Sequence, residues 1–126
     1  MRFSVNVPNL GDFPDPRVVT RVAAATESAG WDGVVPLFPD ATHGVPPAPD
    51  DVRAVVARIA EHRPAAAGPF QVVVGGQTTP ATAADVIGPL VDACATWWDE
   101  RQHIRSPDLY ALAPVLRRVE QGPPAI

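Results

Sequence analysis

Hydrophobic and polar positions along the chain divide it into four alternating units. In the first, Phe3, Val5 and Val7 alternate with Arg2, Ser4 and Asn6, a period of two that predicts a strand over Arg2–Val7, ended by Pro8. A loop over Asn9–Asp15, rich in Gly, Asp and Pro, follows. Pro16 then stands at a first helical position with Asp15 as N-cap. Val18, Val19, Val22, Ala25 and Ala29 recur at helical spacing, and Gly30 is the stop.

The other three units repeat this order. Gly33–Phe38 is a short apolar run, as expected of a buried strand. The loop after it, Pro39–Pro49, is too rich in proline for regular structure. A helix starts at Asp50 or Asp51, runs through Val52, Val55, Val56 and Ile59, and ends near His62-Arg63, a basic end that suits the helix dipole. Phe70–Val74 predicts the third strand. Gly75-Gly76-Gln77-Thr78 is the loop after it, and Thr79-Pro80 opens a helix over 80–93 with Val86, Ile87, Leu90 and Val91 as its buried stripe. Ala95–Asp99 predicts the fourth strand and Glu100–Arg105 a loop. Ser106-Pro107-Asp108 caps a last helix, Leu109–Glu120, before a proline-rich tail.

Strand and helix alternating four times predict an α/β fold with a parallel sheet and right-handed crossovers in a single domain spanning 1–126. The chain has 126 residues and 46% hydrophobic residues, enough for a compact core without a staple. One cysteine, Cys94, excludes an internal disulfide framework and a multi-thiolate zinc site. All ten basic residues are Arg, so Schiff-base and P-loop lysine chemistry are excluded. The net charge of −4 argues against general nucleic-acid binding. No apolar run reaches the roughly 20 residues of a membrane span, and nothing after Arg2 resembles a signal peptide. A cytoplasmic protein is the expectation.

In α/β folds ligands bind at the carboxyl ends of strands, which here are Asn9–Phe13, Phe38–His43, Gly75–Thr79 and Trp97–His103. Gly75-Gly76 before a helix N-terminus fits a phosphate or carboxylate cradle, against the simpler reading of a tight turn. Alternation sends Trp97 and Trp98 to opposite sheet faces, one under the helices and one toward the second side or a barrel interior. Asp12, Asp99 and Glu100 read as loop carboxylates, ordinarily solvated. His43 and His103 lie on loops at the ligand end and His62 at a helix end; no spacing among them fits a metal site. Cys94 reads as a small buried hydrophobe, and Ser4 lacks a nucleophile-elbow context. No residue earns a catalytic label.

Two stretches resemble a known family. Val7-Pro8-Asn9-Leu10-Gly11-Asp12-Phe13 with Ala29-Gly30-Trp31-Asp32-Gly33 looks like the opening of the luciferase-like flavin-dependent oxidoreductases, the bacterial luciferase-like monooxygenases. Trp31-Asp32-Gly33-Val34 through Pro36-Leu37-Phe38-Pro39, Asp50-Asp51-Val52, Val73-Val74-Gly75-Gly76 and Ala95-Thr96-Trp97-Trp98 looks like the end of the same family. The resemblance implies a (β/α)8 barrel fold of about 300 residues, so this chain would be an internally deleted short member. Residues 1–33 resemble the family's start and 34–126 its end. The four strands would make half of a barrel, completed by a homodimer with the fourth strand of one chain beside the first of the other. The resemblance further implies FMN or deazaflavin as cofactor, contacted by Asn9, Leu10, Gly11, Phe38, Gly75, Gly76, Gln77, Thr78, Trp98 and Glu100, with a small-molecule substrate. Against this oxidoreductase stands a non-catalytic remnant or interaction module that binds a small anion or a full-length relative, because the middle strands, which carry much of the family's flavin cradle, are missing.

Overall fold

The computed structural model describes residues 1–8, 11–37, 45–62, 71–101 and 111–126. Within them the chain runs β1 (Arg2–Pro8), α1 (Pro16–Ser28), β2 (Gly33–Leu37), α2 (Pro49–His62), β3 (Val73–Gly76), α3 (Ala83–Asp92), β4 (Trp97–Arg101) and α4 (Leu112–Glu120). The strands form one sheet in the order β2-β1-β4-β3, and every neighbouring pair is parallel. The α/β class and the single parallel sheet are as the sequence predicts.

Local signals account for the element ends. The Asp15 carboxylate accepts from the Arg17 N–H at 2.9 Å, and Pro16 follows it in the first turn, so α1 starts where the sequence places it. Gly30 adopts φ +84° just past the helix, a conformation that suits a residue without Cβ. The start of α4 is held from a distance: the Asp12 carboxylate, in the loop after β1, accepts from the Leu112 N–H at 3.0 Å. The expected cap at 106–108 lies outside the described residues.

Two expected strands are displaced toward their C-terminal ends. The third strand is Val73–Gly76, not Phe70–Val74, and the fourth is Trp97–Arg101, not Ala95–Asp99. Leaving α3, the chain caps at Ala93 and passes through Cys94 at φ +71°. It joins the sheet only when the Thr96 and Trp97 N–H groups donate to the Val72 carbonyl at 2.9 and 3.1 Å. The turn uses up the apolar Ala93–Ala95 stretch that reads as strand. Cys94 is exposed there, not buried as expected. The third helix begins at Ala83 with Thr82 as N-cap, three residues later than predicted, because Thr79–Thr82 form a turn of their own in which the Thr79 N–H donates to Thr82 Oγ1 at 3.0 Å.

Register fixes which side chains share a face. Phe3 and Val74 both pair with Trp98, and Val5 pairs with Val34 and Glu100, so these side chains point to one side of the sheet. That side carries both hydrophobic clusters. One joins Val74 and Trp98 to Val52 of α2 and to Ala83, Ile87 and Leu90 of α3. The other joins Val5 and Val7 to Val22 of α1 and to Val115 and Val119 of α4. Phe3 packs against both. Each fully buried aliphatic side chain contributes about 1.5–3 kcal/mol. All four helices therefore cover the same sheet face.

The strand order corrects one expectation. β4 lies beside β1 of the same chain, in register from Arg2↔Trp97 to Asn6↔Arg101, and not beside β1 of a second chain. Pairing within the chain avoids the entropy cost of association. Among the described residues the outer strands of the sheet are consequently β2 and β3.

Candidate functional site

The carboxyl ends of β3 and β4 bring together most of the expected contacts that fall within the described residues. Glu100 is wholly buried on the helix side of the sheet. Its carboxylate accepts from the Thr78 N–H at 2.6 Å, the Thr78 hydroxyl at 2.5 Å, Trp98 Nε1 at 2.9 Å and Arg118 at 3.3 Å. Four donors from its own chain thus close around the group, as a buried carboxylate requires. Glu100 is not the solvated loop acid of the sequence reading. It ties β4, the loop before α3, and α4 together.

Arg118 is the counter-charge. Its guanidinium also donates to the Gly122 carbonyl at 2.8 Å and lies 4.9 Å from the Trp31 ring centroid. Trp31 in turn donates from Nε1 to the Val119 carbonyl at 3.1 Å. The Trp31-Asp32-Gly33 segment is therefore built into the α1–α4 contact. Asp32 closes the entrance of β1, accepting from the Phe3 N–H at 2.8 Å.

Gly75 and Gly76 lie inside β3 and not in a loop after it. Each leaves room for a side chain of β4, on opposite faces. A Cβ on Gly76 would stand 2.7 Å from Cη2 of Trp98, and one on Gly75 would stand 2.6 Å from Nε of Arg101. Gly76 is thus required by its packing under Trp98, and Gly75 lies under the flexible end of Arg101, a third reading beside the anion cradle and the tight turn. Gln77 is exposed, Thr78 is buried, and Gly11 lies in an exposed turn at φ +64°. Asn9, Leu10 and Phe38 lie outside the described residues, as do His43 and His103. His62 is the last residue of α2. Among the described residues no three His, Cys, Asp or Glu side chains gather as a metal site.

The opposite face of the sheet holds a second polar group that the sequence reading did not assemble. Asp99 accepts from Ser4 Oγ at 2.9 Å and Asn6 Nδ2 at 3.0 Å, and the Arg101 guanidinium is 3.7 Å away. Both Ser4 and Asp99 are buried. Trp97, not Trp98, is the indole on this face: it is half-buried, donates to Gln71 Oε1 at 3.0 Å and carries Arg2 at 5.1 Å from its ring centroid. No described helix packs here. The signal was present in the alternation of Arg2, Ser4 and Asn6 with Phe3, Val5 and Val7 and in the same spacing of Trp97 and Asp99; Arg101 fell in the expected loop, and the register that joins the two strands is not local.

Two clefts of about 360 Å³ each flank these outer strands. One, beside β3 and α2, is lined mainly by Val52, Val55, Val56, Val72, Val73 and Val74. The other, beside β2 and α1, is lined by Thr26, Glu27, Trp31, Asp32 and Val34 among others. None of the expected cofactor contacts among the described residues lines either cleft. Compared with protein-family models, curated proteins and solved structures, the chain matches none.

Proposed function

We propose that this chain is a binding and assembly module and not a self-contained flavin oxidoreductase. The observation that carries the reading is the closed network around Glu100. Glu100, Thr78 and Trp98, three of the residues expected to touch a cofactor, spend their polar groups on one another and on Arg118. A group saturated by buried partners would have to break those bonds to meet a ligand. The likeness of the chain's two ends to luciferase-like oxidoreductases then describes its origin better than its chemistry.

A second reading keeps the cofactor. The helix-free face, with Trp97, Ser4, Asn6, Asp99 and Arg101, offers an aromatic ring and a polar floor to FMN or a deazaflavin if a partner encloses it. The protein would position the cofactor, which supplies the redox chemistry. Titration with FMN and with a deazaflavin, followed by absorbance and equilibrium dialysis, separates the two. The module reading predicts no saturable binding of either. Saturable, stoichiometric binding that Trp97→Ala abolishes would establish the second reading instead.

A further inference from the structure

We infer that the partner of this module is a second copy of the chain, joined through parallel pairing of the β3 edge of one copy with the β2 edge of the other. The inference rests on the module reading and names its partner. Among the described residues neither edge strand has a strand on its outer side, and Val73 of β3 is 62% exposed. Neither strand contains a charged residue, so neither has the charges by which edges usually repel a neighbouring strand.

The backbone is prepared on both sides. The Asp32 N–H donates inward to Phe3, which by strand alternation turns the backbone of Gly33 outward. Val72 accepts inward from Trp97, which turns Val73 and Gly75 outward. Val34, on the helix side, is half-buried beside its own edge. In a joined sheet it would meet the valine-lined cleft between α2 and β3, where Val55 is 58% exposed. Since all helices lie on one face, two such junctions related by a twofold axis close an eight-stranded ring with the helices outside. The polar face with Asp99 and Trp97 lines its interior.

The test is light scattering with one variant on each edge. Wild type should show twice the 13.3 kDa chain mass. Val73→Arg and Gly33→Arg should each reduce it to a single chain with an unchanged circular dichroism spectrum, because every junction uses one β3 and one β2. A wild-type mass of one chain overturns the inference. A dimer insensitive to Val73→Arg points to β2–β2 pairing, and one insensitive to Gly33→Arg points to β3–β3 pairing; either also overturns it. The module reading fails separately, through saturable flavin binding, whatever the mass.

Discussion

At the residue scale, the structure turns on side chains that satisfy one another inside the protein. Glu100 and Arg118 are a buried ion pair, with 0% and 8% of their side-chain surfaces exposed. Removing one partner strands the other, so Glu100→Ala should destabilise the fold by about 3–5 kcal/mol. A urea titration of Glu100→Ala, Arg118→Ala and the double variant reads this directly: the double variant should cost clearly less than the sum. Gly76→Ala should cost about 1–3 kcal/mol, because its Cβ would press on the fully buried Trp98. Gly75→Ala should cost less, because the atoms it meets belong to the flexible end of Arg101. Thermal unfolding of the two variants side by side checks that order. Neither pair could be read in the sequence. Glu100 and Arg118 are joined only by the packing of α4, and the role of each glycine depends on a register that no local pattern encodes.

The elements were more legible than their contacts. Their order, type and number follow from periodicity, and the start of α1 follows from Asp15-Pro16 because a cap is a local interaction. Asp15→Ala should cost about 1 kcal/mol, measurable by thermal unfolding. Where the reading slipped, apolar residues served a turn and not a strand. Ala93, Cys94 and Ala95 lie in the exit from α3, so β4 starts two residues later and its polar half, Asp99 to Arg101, lies within the sheet. That shift moved Glu100 from an expected loop into the core. Alternation alone leaves open which indole faces the open side; it is Trp97. The start of α4 was hidden for another reason: its partner, Asp12, is 100 residues away in sequence. Asp12→Ala should therefore loosen α4 specifically, visible as faster amide exchange at 112–115 with α1 unchanged.

For the whole molecule, the layering is one-sided. Four helices and both hydrophobic clusters cover one face of a four-stranded parallel sheet. The other face carries Asp99 with its Ser4 and Asn6 donors, and among the described residues β2 and β3 have no strand on their outer sides. At the sheet's ligand end Thr78, Trp98 and Glu100 are engaged with one another in the core. The most direct measurement is molar mass by light scattering on wild-type protein, with FMN added in a second run. The account predicts a pair of chains whose mass and absorbance are unchanged by the flavin. A single-chain mass, or protein that elutes with stoichiometric bound FMN, would contradict it.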